Sequence, residues 1–418
     1  MKIKVLKNDY AFSLFNKFVM LLTSFITAAL INRYLGPSLK GEYAYIVNIT
    51  NFLSVIANFG IYQSYPKKYK DKIKNVKEIY CTIIIIQFVF YLIIASVIGF
   101  LSWNVLIFVS ALIVPTQVLA NQLSMITMVE NIKYRQIVQI YTLILKTLIM
   151  FLIMIFLPKK IIIVLVLLLI INVLQIISYL YKLKCKFDYS FMSKSELISI
   201  AKFGIYAGIS ELLLIINYKT DILMLKLFVD YYQIGLYSVA VSIAECIWLF
   251  PDAFKEVLFS RTARGNPIKE INLCIKLNVF VSLIIIIVFY LFDKFIIGIY
   301  AGTDYLDATI IMKIILLGIP FMALFKITNP LYLSNGKEKQ YCINLLISAA
   351  TNIMLNLALI PIFGDNGAAM ASTISFSVCG LLFYTKYVRD YDILWYEPLV
   401  LRKKDVLTII NNIKKVKE

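Results

Sequence analysis

The chain is a succession of apolar runs of about 20 residues each, a length set by the ~30 Å hydrocarbon core of a bilayer. A segment crossing lipid must satisfy its backbone hydrogen bonds within the protein, which leaves helices or a closed barrel. These runs are continuously apolar rather than alternating, so a transmembrane barrel is excluded. Twelve spans are read, at roughly 10–31, 43–65, 80–101, 105–128, 137–157, 161–181, 203–229, 233–250, 275–294, 309–333, 340–362 and 367–387. With 61% hydrophobic residues and a mean hydropathy of +0.83, the expected fold class is all-α, a polytopic membrane protein. No cleavable signal peptide is expected, because the first apolar run continues from Tyr10 to Ile31, longer than a signal core.

The loops set the expected orientation. With the N-terminus in the cytoplasm, cytoplasmic segments carry 31 basic residues and the external side seven, Lys219 and Lys226 toward the outer end of the seventh span being counted among the seven; the other four, Lys17, Lys146, Lys313 and Lys326, lie within spans. That bias predicts both termini inside, together with the loops at 66–79, 182–202 and 251–276. External loops are all short. Residues 1–181 read as an N-terminal six-helix bundle, 182–202 as a basic cytoplasmic linker, 203–387 as a C-terminal six-helix bundle and 388–418 as a basic cytoplasmic tail. The end of that tail, LTIINNIKKVKE, is amphipathic and basic, a pattern that lies on a membrane surface.

Composition also narrows the function classes. A net charge of +18 suggests nucleic acid in a soluble protein, but in a membrane protein it reports cytoplasmic loops drawn to anionic lipid, and no nucleic-acid partner is expected. There is no histidine, the commonest metal ligand and general base. The six cysteines have no metal spacing; four or five lie in or beside spans, and they read as small apolar fillers. No metal, cofactor or catalytic residue is expected.

The seventh span, 201–229, carries Glu211, Lys219, Asp221 and Lys226. One charge at membrane depth costs roughly 3 kcal/mol on insertion scales, so these four require a polar environment. At about 100° per residue Glu211, Lys219 and Lys226 share an arc of roughly 80°, with Asn217 and Asp221 on the other side of Glu211. Such a helix lines a water-filled cavity or bridges packed helices by ion pairs. Other spans carry polar stripes: Asn48, Asn51, Ser54 and Asn58 on the second, Gln139, Thr142 and Lys146 on the fifth, and Ser238, Ser242 and Glu245 on the eighth. Lys17 lies in the first span, and Lys313 and Lys326 in the tenth, whose Pro320 and Pro330 are expected to break its hydrogen-bond ladder. Packing between helices is the alternative for the asparagines and serines, and buried structural pairs for the charges. Lys313, near a membrane end, can snorkel.

Taken together, Lys17, Lys146, Lys219 and Lys326 outnumber Glu211, Asp221 and Glu245 in the expected cavity. A cationic cavity suits an anionic cargo, and phosphate or pyrophosphate matches a lysine ammonium as a point charge. The candidate binding residues are therefore Lys17, Lys146, Lys219, Lys326, Asn48 and Asn51, with Glu211, Asp221 and Glu245 as candidate coupling or gating acids.

The halves repeat weakly. A shift of 194 residues sets Gly41 on Gly235 and Tyr43 on Tyr237; a shift of 205 sets Pro115 on Pro320. Parallel repeats imply a pseudo-two-fold axis along the membrane normal. The first shift also sets Lys17 on Glu211, which predicts that these two pair as part of an inner gate.

Three stretches resemble a known family: LINRYLGPSLKGEYAYIVNITNFLSVIANFG (30–60), YKTDILMLKLFVDYYQIGLYSVAVSI (218–243) and LSNGKEKQYCINLLISAATNIMLNLALIPIFGDNGAAMASTIS (333–375). They are similar to the polysaccharide transport branch of the multidrug/oligosaccharidyl-lipid/polysaccharide exporters, O-antigen flippase type. The resemblance implies two six-helix bundles in a V shape with a cationic cavity. It implies a flippase of the bacterial inner membrane that moves undecaprenyl-pyrophosphate-linked oligosaccharide for O-antigen or capsule assembly by alternating access. Membrane lipids, a polysaccharide polymerase and glycosyltransferases are the implied partners. A cation-coupled drug or metabolite antiporter of the multidrug branch is the alternative; such exporters often carry an acid in the first span, where this chain has Lys17. A membrane enzyme such as a polymerase would use a large external loop with basic catalytic residues, which this sequence lacks.

Overall fold

The computed structural model describes residues 2–71, 75–185, 194–262, 265, 267–402 and 405, and every regular element among them is helical. In chain order these are α1 (Lys2–Asn58), a 3-10 turn (Ile61–Ser64), α2 (Tyr65–Lys70), α3 (Val76–Ser102), α4 (Val105–Glu130), α5 (Ile132–Phe156), α6 (Ile161–Leu183) and α7 (Lys194–Leu225). They continue as α8 (Tyr231–Glu245), a 3-10 turn (Cys246–Trp248), α9 (Leu249–Thr262), α10 (Ile268–Leu291), α11 (Asp293–Tyr300), a 3-10 turn (Thr303–Tyr305), α12 (Ala308–Leu316), α13 (Ile319–Ser334) and α14 (Glu338–Asp390).

Among the described residues eight helices, or nine if the α12–α13 pair is one span, are long and apolar enough to cross a membrane. α1 and α14 run to 57 and 53 residues, far beyond one crossing. Each is broken where a glycine takes a left-handed backbone, Gly36 at φ 71° before Pro37 and Gly364 at φ 58° after Pro361. Such a φ is cheap only for glycine, so these positions end one span and begin the next. Counted as two spans each, and with α7 included, they give the twelve expected crossings. The tenth span bends by 46° between α12 and α13, ahead of Pro320 as expected; Pro330 instead lies inside α13. The second span ends at Asn58, earlier than expected, at the turn that Gly60 forms.

The chain forms two compact units: unit 1 comprises Met1–Ile215 and Ile299–Asp304, unit 2 Ile216–Gly298 and Tyr305–Glu418. The division falls inside α7. In unit 1, α4 packs against α1, α3, α5 and α6. One apolar cluster joins Tyr65, Tyr80, Leu123 and Tyr179; another joins Tyr34, Ile113, Met150 and Leu165. In unit 2, α13 packs against α9, α10 and α14, and α12 against α8 and α14. Large apolar side chains such as Phe90, Ile93, Phe151 and Ile155 point outward, which suits lipid and not water.

One cysteine expectation is corrected. Cys81 and Cys185 were read as fillers, but they are joined as a disulfide that ties the start of α3 to the end of α6. Their proximity is tertiary, across 104 residues, and no spacing rule shows it. Residues 186–193 of the 182–202 linker and the amphipathic end of the tail lie outside the described residues, and residues 194–202 already belong to α7.

Candidate functional site

In unit 1 the fifth-span stripe lies on α5, whose N-terminus is capped by Asn131 accepting from the Tyr134 amide at 3.0 Å. α5 meets the first span through polar contacts spaced along both helices. Asn16 Nδ2 donates to Gln136 Oε1 at 3.3 Å, and Thr27 and Thr147 share a hydrogen bond of 2.6 Å. Thr142 is fully buried and accepts from Gln175 Nε2 of α6 at 3.1 Å. Lys146, one turn further along the same face, is partly buried and has no hydrogen-bond or ion-pair partner among the described residues. An ammonium held at mid-span without a counter-ion is costly, and an anionic ligand removes that cost.

The second-span stripe behaves differently. Asn51 Oδ1 accepts from Gln117 Nε2 at 2.8 Å, Ser54 donates to Gln117 Oε1 at 3.4 Å, and Asn58 Oδ1 accepts from Gln122 Nε2 at 2.8 Å. Gln122 also donates to Gln87 of α3 at 2.9 Å. The stripe therefore stitches α1 to α4 and α3, as helix-packing hydrogen bonds do in membranes. Asn48 is buried and donates to the Ala44 carbonyl at 2.6 Å, and its Oδ1 has no donor among the described residues. The glutamines that engage the asparagines were not singled out from the sequence, although Gln117 and Gln122 stand out as polar residues in an apolar run.

Glu211 lies in the part of α7 that belongs to unit 1. It accepts from Tyr62 OH at 3.1 Å and from Gln63 Nε2 at 2.9 Å. Backbones meet closely beside it: a Cβ on Gly60 would stand 2.3 Å from the Gly204 carbonyl oxygen. Both of these donors to Glu211 come from the turn after Asn58, so the expected inner-gate pairing with Lys17 remains a proposal. Burial and the neighbouring Glu211 carboxylate push the Tyr62 phenol above its ordinary pKa, so it stays protonated and donates.

In unit 2, α7 and α8 form a hairpin around Asp230, which caps α8 by accepting from the Gln233 amide at 3.0 Å. The hairpin brings Lys219 Nζ to 3.2 Å from Glu245 Oε1. Lys226 lies over the Tyr231 ring at 3.8 Å. Asp221 is 2% exposed; its Oδ2 accepts from Tyr237 OH and from Ser372 Oγ, the latter at 2.8 Å, while Oδ1 has no donor among the described residues. Beside it Asn217 donates to Ser348 at 2.7 Å, and Asn352 donates to Ser375 at 3.1 Å and accepts from Asn356 at 3.0 Å. Lys326 bonds both oxygens of Asp252, at 2.9 and 2.8 Å. Lys313 pairs with Asp293 at 2.5 Å, and that hydrogen bond holds the Asp293 carboxyl below its ordinary pKa. Sequence reasoning missed Asp252, Tyr237 and Ser372. Among the described residues, no three histidine, cysteine, aspartate or glutamate side chains gather as a metal site.

The geometry can be set beside known proteins. A family model described as "Polysaccharide biosynthesis protein" matches residues 5–251, and one described as "Lipid II flippase MurJ" matches residues 259–409. No curated protein matches the sequence. Among solved structures, the lipid II flippase MurJ in an inward closed conformation is similar with a TM-score of 0.73 at 16% identity, covering 92% of this chain and 87% of that one. An inward-facing multidrug resistance MATE transporter of the MOP superfamily gives 0.67 at 13%, covering 89% and 95%. A mutant of the Vibrio cholerae MATE transporter VcmN gives 0.60 at 15%, covering 92% and 98%. At these identities the likeness is one of fold.

Proposed function

We propose that this chain, which belongs to the polysaccharide biosynthesis protein family, is a flippase for undecaprenyl-pyrophosphate-linked oligosaccharide, the repeat unit of an O-antigen or capsule. It works by alternating access in the bacterial inner membrane, with both termini in the cytoplasm. The observation that carries this reading is Lys146, a mid-span ammonium in the family-matched region with no counter-ion among the described residues. A pyrophosphate headgroup supplies that counter-charge, while the lipid tail remains in the bilayer. Lys17, Lys219 and Lys326 are the further cations of the reading, with Asn48 as a polar contact. Asn51, already engaged by Gln117, takes part only if that bond opens. Two six-helix halves joined at residues 182–202 supply the moving parts. Glycosyltransferases build the cargo and a polymerase consumes it; the chain itself is a transporter and not an enzyme.

Asp221 is the proposed coupling acid, because one carboxylate oxygen has two donors and the other has none. The same observation favours the second reading, a cation-coupled multidrug antiporter. The two differ in cargo. Purified protein is reconstituted into vesicles holding a fluorescent saccharide on undecaprenyl pyrophosphate, and exposure of the inner-leaflet probe to an external quencher is timed. The flippase reading expects exposure faster than in protein-free vesicles, with Lys146→Ala near that background. Exposure at the protein-free rate, combined with uptake of cationic drugs, would instead establish the antiporter.

A further inference from the structure

The unit 2 cation Lys326 is unusually enclosed. It sits in α13 between Phe325 and Ile327, both buried, and is itself 9% exposed, so its ammonium cannot snorkel to water. The rings of Trp248 and Tyr218 lie over it at 4.7 and 5.9 Å, and Phe376 meets Trp248 edge-on at 5.4 Å. On the remaining side both oxygens of Asp252 take its protons. The two partners differ in access: the Asp252 side chain is 46% exposed and that of Lys326 is 11%. Asp252 also stands in the first turn of α9, just after the 3-10 turn that interrupts the span, where a helix start favours a carboxylate. The wet member of the pair is thus the acid, and the dry member is the cation.

The pair sets a half-exposed carboxylate over an ammonium lodged among rings. The indole Nε1 of Trp248, whose ring covers that ammonium, is buried and has no acceptor among the described residues. A carboxylate offers two oxygens, and Lys326 takes both. An anion with more oxygens and more charge would hold the ammonium and still have acceptors for a further donor.

From this geometry we infer that Asp252 is a built-in surrogate anion: it occupies Lys326 while no cargo is bound, and a pyrophosphate headgroup must displace it. The inference rests on the flippase reading and adds a selectivity device to it. Singly charged anions gain nothing by the exchange, because they replace one carboxylate charge with another. A pyrophosphate brings greater charge and wins. Asp252 thereby sets a threshold that excludes ordinary cellular anions from Lys326.

The test uses the purified full chain and inorganic pyrophosphate as the probe, with acetate as the singly charged comparison. If Asp252 holds Lys326 in about nine molecules of ten, Asp252→Asn binds pyrophosphate about tenfold more tightly. It also acquires acetate binding, and both gains vanish when Lys326→Gln is added. Should Asp252→Asn fold poorly, the unmutated pair is read through Trp248: with Trp103 and Trp395 replaced by phenylalanine, pyrophosphate is expected to shift the remaining indole emission and acetate is not. Pyrophosphate binding that depends on Lys146 but is no tighter in folded Asp252→Asn, or that leaves the Trp248 emission unmoved, overturns the surrogate role alone. A gain that survives Lys326→Gln also overturns it. Absence of pyrophosphate binding in both wild type and Asp252→Asn overturns the flippase reading as well.

Discussion

Unit 1 and unit 2 hold their intramembrane lysines in different company. In unit 2, Lys219 has Glu245 at 3.2 Å, Lys326 has Asp252 at 2.8 Å and Lys313 has Asp293 at 2.5 Å. In unit 1, Lys146 has no acid beside it among the described residues, and the polar side chains around α5 bond one another instead. A lysine with its own carboxylate is accounted for by packing, and its charge meets a ligand only by exchange. On the proposed reading, a lysine without one among the described residues takes its counter-charge from the cargo. On the proposed reading the difference separates Lys219, Lys313 and Lys326, which are paired within the fold, from Lys146, and it ranks these four sites, which composition alone treats as equal.

The largest effect is expected at Lys146. Lys146→Ala should lower headgroup flipping by about 10- to 100-fold, from loss of a charge-assisted contact of roughly 1.5–3 kcal/mol, with normal membrane insertion. Translocation by reconstituted protein checks this. A rate within twofold of wild type would erase the distinction between the units.

A smaller effect is expected at Lys219, since its pair is partly solvated, with side chains 30% and 25% exposed. Lys219→Ala should reduce flipping several-fold and destabilise the protein by about 1 kcal/mol, the order expected for a partly screened pair. Adding Glu245→Gln should return most of the stability, because no carboxylate is left without its partner. A double variant no more stable than the single would show that the pair does not act as a unit. The smallest effect on transport is expected at Asn51. Asn51→Ala should cost about 0.6 kcal/mol of stability, typical of an interhelical hydrogen bond in a membrane, and leave flipping unchanged. A transport defect with unchanged stability would move Asn51 from the packing of α1 on α4 to the cargo.

What the sequence disclosed follows from the range of each interaction. The spans were legible because lipid thickness fixes their length, and the break before Pro320 because a missing N–H acts locally. The Lys219–Glu245 contact was also within reach. Counting 11 residues back from Asp230 and 15 forward places both at comparable depth on a hairpin, and the stripes on α7 and α8 already singled them out. Lys326 and Asp252, 74 residues apart, and Cys81 and Cys185, 104 apart, meet only through packing that no local pattern encodes. The partners of Glu211 in this conformation were hidden for a related reason. A repeat shift pairs positions in two helices but does not register the turn at Ile61–Ser64, whose Tyr62 and Gln63 take Glu211.

The central claim is that Lys146 awaits an anion while Lys219, Lys313 and Lys326 carry their own. It is tested most directly by measuring inorganic pyrophosphate binding to purified wild type, Lys146→Met and Lys219→Met at fixed ionic strength. The account predicts that Lys146→Met loses binding by at least about tenfold, and Lys219→Met by only a few-fold because its cation is partly neutralised in place. Equal losses in the two variants, or a larger loss at Lys219, would contradict it.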